Sequence, residues 1–186
     1  MRKLIFAFNL TLDGCCDHTK SAVDEELLDY HTQLLQEADV LLYGRKTYQL
    51  MVPFWPEIAR NHSGETRALN DFAQAFVSVN NIVVFSRTLD KAEDSNTRIV
   101  RSNLQDEILK LKQEPGKAIL TGGVSIPSQL IELGLVDEYR FVIQPIIVGE
   151  GRRLFDDVSL PGKLQLRLLE SKIFNSGTVA LRYLKH

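Results

Sequence analysis

The chain has 186 residues, of which 44% are hydrophobic and 25% are charged, a composition typical of a globular protein with a buried core. The formal net charge is −2, and the acidic and basic residues are interspersed along the chain without a long cationic run. Nucleic acid is therefore a poor candidate partner. No apolar run approaches the roughly 20 residues that span a bilayer, and the first apolar segment meets Asn9 too early for a signal peptide. We therefore expect a cytoplasmic protein that has no membrane partner.

The cysteines and histidines do not form a metal or nucleophile pattern. The two cysteines, Cys15 and Cys16, are adjacent, so a disulfide between them would not join distant parts of the fold, and we expect reduced thiols. The four histidines lack ligand spacing, and His31 is expected to pack on its helix. HExxH, paired-cysteine and GxSxG motifs are also missing from the sequence. No metal is expected.

The first half of the chain alternates strand and helix patterns. Residues 3–10 read as a buried strand, and Ser21 with Asp24 forms a capping-box pattern at the start of a helix with apolar residues at helical spacing. A second strand at 40–43 leads into Gly44 and a short helix. Prolines and a glycine within residues 53–64 then predict the longest irregular connection, a plausible wall over a site.

The second half predicts a parallel sheet that finishes antiparallel. Alternating helices and strands imply a largely parallel sheet, and a short turn at 175–177 predicts a C-terminal hairpin. Without repeats or linkers, one domain over residues 1–186 is expected. The predicted segments are helix 71–79, strand 81–85, strand 97–100, helix 104–112, strand 118–121, helix 125–133, and strands 138–143, 164–174 and 178–184.

Two strand–helix junctions have the chemistry of phosphate sites. The first follows the second strand and consists of Gly44, Arg45, Lys46 and Thr47. The second begins with a glycine pair and leads into an apolar-periodic helix. Amides at a helix start are unpaired and carry partial positive charge, and glycine lets an anion approach the backbone. Two such turns in one small domain suggest a dinucleotide. The residues of the second junction are Thr121, Gly122, Gly123, Val124, Ser125 and Ile126.

The order of these motifs resembles the dihydrofolate-reductase-like superfamily and, within it, the RibD C-terminal domain family of riboflavin-biosynthesis reductases. The resemblance covers essentially the whole chain and implies a three-layer αβα fold with a mostly parallel central sheet and an antiparallel C-terminal hairpin. It also implies NADPH bound across the carboxyl ends of the central strands, and a homodimer. Its motifs are Asn9-Leu-Thr-Leu-Asp-Gly14, Tyr43-Gly-Arg-Lys-Thr-Tyr48, Val84-Phe-Ser-Arg-Thr88, Thr121-Gly-Gly123, and Gly134-Leu-Val-Asp-Glu138 leading into Pro145-Ile-Ile-Val-Gly-Glu-Gly151.

The resemblance supports a division of the cofactor among three segments. We assign the cofactor phosphates to residues 45–47 and the pyrophosphate to the cradle 121–126. Ser86 and Arg87 are assigned the adenosine 2′-phosphate, since an arginine fork matches phosphate and favours NADPH over NADH. Alternatively, Arg45 and Arg87 are solvated surface charges and the glycine pair is a turn that packs a helix. The segment from Gly149 lacks the third glycine of a Rossmann fingerprint and is read as a turn.

Reduction of a C=N or C=O bond by NADPH requires a proton donor, either a carboxylate or an ordered water. Asp13 is our first candidate because it follows the first strand on a loop that faces the cleft in similar proteins. Folate reductases place an acid on the first helix instead, where four residues compete for the role and serve equally well as helix caps. Asn9, Asp13 and Trp55 are the candidate substrate contacts, although core packing explains the aromatic residues as well. The four acids are Asp24, Glu25, Glu26 and Asp29, and the other aromatics are Tyr48 and Phe54.

These assignments predict an NADPH-dependent reductase of a pteridine- or pyrimidine-like heterocycle, similar to 5-amino-6-(5-phosphoribosylamino)uracil reductase. Cys15-Cys-Asp17 departs from the pattern after the Asp-Gly motif, and Arg152-Arg153 is the one further cation pair for a substrate phosphate. The alternatives are a dihydrofolate reductase and a non-catalytic NADP-binding oligomeric protein of the same fold. Residues 135–138, the strand that follows them and the apolar run 143–148 are candidates for a self-association surface.

Overall fold

The computed structural model describes all residues from 1 to 186 and forms eight strands and six α-helices. A short 3₁₀ turn, His18–Lys20, precedes the first helix. The strands are β1 Leu4–Thr11, β2 Ala38–Gly44, β3 Ile82–Phe85, β4 Thr97–Val100, β5 Ala118–Thr121, β6 Glu138–Gln144, β7 Leu166–Ile173 and β8 Val179–Lys185. The helices are α1 Glu25–Gln36, α2 Arg45–Met51, α3 Phe54–Asn61, α4 Arg67–Ser78, α5 Leu104–Gln113 and α6 Ser125–Glu132.

All eight strands belong to one sheet, in the order β4-β3-β2-β5-β1-β6-β8-β7. The strands from β4 to β6 are mutually parallel, whereas β8 runs antiparallel to β6 and β7 runs antiparallel to β8. The predicted mostly parallel sheet with an antiparallel C-terminal hairpin is therefore confirmed. The structure places β1 between β5 and β6, near the middle of the sheet.

Helices cover both faces of the sheet and make the three layers. Successive residues of a strand point to opposite faces. Ile5 of β1 accordingly packs with the apolar residues of α1, α2 and α4, and Phe6 packs with those of α5 and α6. Each of these two clusters has more than fifteen buried residues. None of the helices combines the length and the apolar character needed to cross a lipid bilayer.

Two local predictions were wrong. Helix α1 is capped by Asp24, whose carboxylate accepts from the Leu27 amide at 2.8 Å, and not by Ser21. Residues 53–64, predicted to be irregular, contain α3. Pro53 and Pro56 lie at the cap and in the first turn of that helix, where amides have no intrahelical acceptor, so the prolines are compatible with it. The longest irregular connection is instead 145–165.

A buried ion cluster fixes α1 to the antiparallel side of the sheet. Glu138 of β6 has no exposed side-chain surface and accepts from Arg140 Nε and Arg182 Nε, both at 2.7 Å. Arg140 also binds the carboxylate of Glu37 at the end of α1. Burial disfavours the charge, but the hydrogen bonds from Arg182 and Arg140 outweigh it and lower the pKa of Glu138 to about 2.

Candidate functional site

The carboxyl ends of the parallel strands meet at one edge of the sheet, and the segments that follow them form the candidate site. Gly44 at the end of β2 pairs with Phe85 at the end of β3. Leu42 of β2 and Phe6 of β1 both pair with Thr121 at the end of β5. The three segments singled out in the sequence, 44–47, 86–87 and 121–126, therefore begin at neighbouring strand ends.

The turn after β2 is in direct contact with the turn after β5. Gly123 has a φ of 86°, and a Cβ atom on it would collide with Thr47 Oγ1. A Cβ atom on Gly44 would lie 3.2 Å from Ile126 Cγ1. Only glycine at position 123 satisfies both the backbone angle and the close approach. The two junctions predicted to bind phosphate thus form one continuous surface.

This surface carries cations and amides without acidic partners. Arg45 and Lys46 are exposed in the first turn of α2, and Arg87 is exposed just after β3. None of these three side chains forms an ion pair with a carboxylate. The amides of Ser125 and Ile126, in the first turn of α6, have no acceptor within that helix. The strand ends therefore present uncompensated positive charge and free N–H groups, which suit an anion.

A groove continues from this surface toward the edge strand β4. Its volume is about 610 Å³, and it runs from Ile126 past Ser86 and Arg87 to Arg101 and Asn103. A smaller cavity of about 230 Å³ opens elsewhere, between the strands β2 to β4 and α5, and does not include any of the predicted site residues. The larger groove is the one that joins Arg87 to Ile126 in the first turn of α6.

Two of the predicted cofactor residues use their side chains inside the protein. Thr121 is fully buried, and its hydroxyl donates to the Leu42 carbonyl at 2.9 Å, so it stabilises the β2–β5 contact. The Ser86 hydroxyl accepts from the amides of Thr88 and Leu89 at 3.2 and 3.0 Å. Because the Ser86 oxygen acts as acceptor in both bonds, its own proton remains free to donate.

Strand β1 extends past the end of β5 and leaves a free edge beside the glycine turn. It pairs with β5 only from Leu4 to Phe6 but continues to Thr11. The Ala7 carbonyl oxygen lies 3.6 Å from where a Cβ atom on Gly122 would stand. The part of β1 that carries Asn9 therefore runs alongside the surface made by the two turns.

The Asn9 side chain is held by a histidine from α1. His31 Nε2 lies 2.9 Å from Asn9 Oδ1 and, because an amide oxygen only accepts, this nitrogen carries the proton. Burial lowers the pKa of His31 to about 4, so the imidazole is neutral near neutral pH. The sequence predicted His31 only as a helix-packing residue. Its position four residues after the buried Leu27 was the available signal that it faces the sheet.

The four acids of α1 do not contact Asn9. Asp24 caps its own helix, and Glu25 is exposed. The Glu26 carboxylate accepts from the Asn175 amide at 2.9 Å, and Asp29 pairs with an arginine of α4 at 3.7 Å. The first helix therefore brings a neutral imidazole, and no carboxylate, to the free edge of β1.

Asp13 joins the loop after β1 to the segment after β6. Its carboxylate accepts from the Thr11 hydroxyl at 2.6 Å and from the amides of Val148 and Gly149 at 3.3 and 2.9 Å. The Thr11 and Gly149 hydrogen bonds are the main reason that the pKa of Asp13 falls to about 2. An ionised carboxylate that already accepts three hydrogen bonds has no proton to donate near neutral pH. These contacts favour a structural role for Asp13 over the predicted role as proton donor.

The arginine pair after β6 is not a free anion site. Arg152 binds the carboxylate of Asp157. Arg153 Nε donates to the Asp13 carbonyl at 3.0 Å, and its guanidinium lies 3.8 Å from the Asp13 carboxylate. Both arginines therefore hold this loop in place.

The aromatic candidates mainly pack within the protein. Tyr48 has no exposed surface, and its hydroxyl donates to Asp94 Oδ2 at 3.0 Å, so its ring is not available to stack on a ligand. Trp55 is half-buried, and its ring centroid lies 4.4 Å from that of Phe72. Phe54 is 54% exposed and has an edge contact with Trp55. These contacts favour packing roles for Tyr48 and Trp55.

Comparison with known sequences identifies the family. A sequence profile of the RibD C-terminal domain matches residues 2–180. The chain belongs to the RibD C-terminal domain family. Among its relatives is the uncharacterized protein YyaP of Bacillus subtilis, which is 34% identical over 186 residues that cover 98% of this chain and 94% of YyaP.

Solved structures show that this RibD C-terminal domain has a dihydrofolate-reductase-like fold. The deaminase/5-amino-6-(5-phosphoribosylamino)uracil reductase of Thermotoga maritima superposes with a TM-score of 0.68 at 15% identity, covering all of this chain and 57% of that protein. The dihydrofolate reductase of Enterococcus faecalis in complex with NADP(H) superposes with a TM-score of 0.65 at 12% identity, covering 99% and 96%. The resemblance predicted from the sequence motifs is therefore confirmed.

Proposed function

We propose that the protein is an NADPH-dependent reductase of a pteridine- or pyrimidine-like heterocycle. The observation that carries this proposal is the contact between Gly123 and Thr47, which joins two phosphate-type turns into one surface beside the groove at Arg87. A nicotinamide dinucleotide requires a pyrophosphate site, an adenosine site and a place for its ring next to the acceptor. The three strand-end segments and the free edge of β1 meet these three requirements.

In this proposal the strand-end segments and the free edge of β1 share the binding of NADPH. Residues 45–47 and 122–126 hold the pyrophosphate through cations and first-turn amides. Ser86 and Arg87 hold the adenosine 2′-phosphate, for which a guanidinium fork is the matching donor. The free edge of β1 holds the nicotinamide end. Bound NADPH supplies the hydride, and the protein supplies binding and orientation.

The acceptor would lie at the Asn9 end of the cleft. Because Asp13 accepts three hydrogen bonds and His31 is neutral, we infer that water delivers the proton of the reaction. The engagement of Arg152 and Arg153 by carboxylates favours a substrate that does not need a phosphate site there. The lack of a carboxylate from α1 at Asn9 disfavours the dihydrofolate reductase alternative.

Cofactor binding and turnover test the proposal separately. Purified protein is titrated with NADPH and with NADH while nicotinamide fluorescence and the melting temperature are recorded, and reduction of pterin, folate and aminopyrimidine acceptors is then followed by loss of nicotinamide absorbance. We expect NADPH to bind more tightly than NADH and one of the non-folate heterocycles to be reduced. Binding without any turnover would support the non-catalytic alternative, and turnover of folate would support a dihydrofolate reductase. If neither nucleotide binds, the proposal is wrong.

We also propose that the protein forms a homodimer, which light scattering of the purified chain tests directly. Leu135 and Val136, which the sequence placed in the candidate interface, are buried within the molecule and are not available for a dimer contact. Ile147 remains 72% exposed, and Ile173 of the edge strand β7 is 76% exposed. Exposed apolar side chains of this kind are common at protein interfaces.

A further inference from the structure

Asn9 and His31 form the polar link between β1 and α1 beside the glycine turns. The 2.9 Å contact between Asn9 Oδ1 and His31 Nε2 is the single hydrogen bond that either side chain makes with the protein. Both residues are only partly buried. The orientation of the Asn9 amide therefore depends on one group, the imidazole of His31.

This contact determines which end of the amide is free. An asparagine amide has an oxygen that accepts and an N–H₂ group that donates, and the two ends exchange when the amide turns over. Because Oδ1 faces His31, Asn9 Nδ2 has no hydrogen-bond partner in the protein. It is not one of the buried side-chain atoms that lack a partner, so it is accessible to solvent. The free end of Asn9 is thus a hydrogen-bond donor with access to solvent.

No charged side chain forms a hydrogen bond with Asn9. The acids of α1 cap the helix, bind other segments or face solvent, as described above. The imidazole itself is neutral, since burial lowers the pKa of His31. A ligand at this point therefore meets a neutral donor and no carboxylate from α1.

We propose that His31 is a positioning residue that holds the N–H₂ group of Asn9 toward the substrate, so that the site selects a neutral heterocycle with a ring carbonyl at that edge. The inference rests on the proposed function, since it takes the Asn9 end of the cleft as the acceptor site. A carbonyl oxygen accepts from Asn9 Nδ2. An amino group or a protonated ring nitrogen at the same edge is itself a donor. It would face Asn9 Nδ2 with neither group finding an acceptor, which disfavours binding.

Two small probes present opposite groups at the same ring positions. Pyrimidine-2,4-dione presents carbonyl oxygens where 2,4-diaminopyrimidine presents amino groups on the same ring. Binding of each probe is measured by calorimetry at a pH above the ring pKa of the diamino compound, so that both probes are neutral, with the NADPH-saturated protein and with the protein alone. We expect the dione to bind at least about tenfold more tightly, because the site would hold the diamino compound with an unpaired donor.

Two substitutions of His31 test its role in setting this preference. In His31→Glu the new carboxylate accepts from Asn9 Nδ2, turns the amide over and presents Oδ1, so the preference reverses toward the diamino compound. In His31→Phe the amide has no partner, and the ratio of the two affinities falls to about one. Gln33→Glu adds the same charge on the exposed side of α1 and leaves the ratio unchanged.

The outcomes separate this inference from the proposed function. A wild-type protein that binds neither probe, or that prefers the diamino compound, overturns the role of the Asn9 donor. An unchanged ratio in both His31 variants overturns the positioning role, because a merely structural histidine would change the melting temperature and not the ratio. If one variant does not fold, the other still decides. Loss of NADPH binding contradicts the reductase, whereas the ratio measured without NADPH still tests His31.

Discussion

Gly123 packs against the hydroxyl of Thr47, so the turn after β5 closes directly onto the first turn of α2. A side chain at position 123 has no room, and the φ of 86° is itself unfavourable for any residue with a Cβ atom. The contact keeps two sets of donors in a fixed relation. A ligand that spans both turns meets a site that needs little rearrangement to bind it.

Gly123→Ala should weaken NADPH binding about tenfold or more, because the Cβ atom pushes the two turns apart and the left-handed backbone adds about 1–2 kcal/mol of strain. Fluorescence titration and thermal denaturation measure the two effects. Gly149→Ala introduces positive-φ strain without a nearby atom, and Gly162→Ala introduces no close contact. Equal NADPH affinity in the Gly123 and Gly149 variants would contradict a special role for the Thr47 contact.

Arg87→Gln should discriminate between the two nicotinamide cofactors. A hydrogen bond to a charged group contributes about 1.5–3 kcal/mol, so NADPH affinity should fall about 10- to 100-fold while NADH affinity stays within about twofold. Titration of both nucleotides measures the difference. Arg60→Gln, which removes an exposed and unpaired arginine on α3, serves as the matched control. A parallel loss of NADPH and NADH affinity would place the 2′-phosphate elsewhere.

Asp13→Asn should destabilise the protein in a pH-dependent way. The folded-state pKa of about 2 is below the ordinary value of 3.8, so the carboxylate contributes stability above pH 3.8 that is lost as the pH falls through 2. The melting temperatures of the wild type and the variant should therefore differ near neutral pH and converge in acid. A constant difference down to pH 2 would show that the charge of Asp13 does not stabilise the fold.

The same substitution separates the structural role from catalysis. If Asp13 only holds the loop at Val148 and Gly149, the variant should retain the pH profile of turnover, because its carboxylate never carries the proton. If the wild type shows turnover that falls as the pH rises through the pKa of an acid, and the variant loses that dependence with stability preserved, Asp13 is restored as the proton donor.

Glu138→Gln should be among the more damaging single changes far from the strand-end site. The substitution removes the charge that neutralises Arg140 and Arg182 while leaving both guanidinium groups in place. Breaking one partner of a buried ion cluster typically costs about 3–5 kcal/mol of unfolding free energy. Denaturant unfolding measures the loss, and Glu57→Gln, on the exposed side of α3, is the control. A loss equal to that of the control would mean that the cluster contributes little to stability.

Much of the fold could be predicted from the sequence because hydrophobic period and turn residues act locally. The apolar run from Leu4 and the glycine turn at 175–177 gave a strand and a hairpin that the structure contains. The prediction of an irregular segment at 53–64 was wrong for a physical reason. Proline breaks a helix in its interior but is accepted at its start, where Pro53 and Pro56 lie. The pattern alone did not reveal where that helix begins.

The candidate site was less predictable because its chemistry depends on tertiary contacts. The glycine turns carry a local signature, but the contact of Gly123 with Thr47 follows from the position of β5 beside β2 in the sheet. The sequence ranked Asp13 as a proton donor, and only the amides of the segment after β6 reveal that its carboxylate is engaged. His31 was read as packing, because nothing local indicates that it reaches Asn9.

If the segments after β2, β3 and β5 bind one NADPH molecule together, a crystal structure of the protein with NADPH will place the pyrophosphate between Thr47 and Gly123. In the same structure we expect the 2′-phosphate at Arg87 and the nicotinamide ring beside β1 next to Asn9. Density for NADPH that leaves Gly123 and Arg87 without contacts would show that these segments do not form the cofactor site.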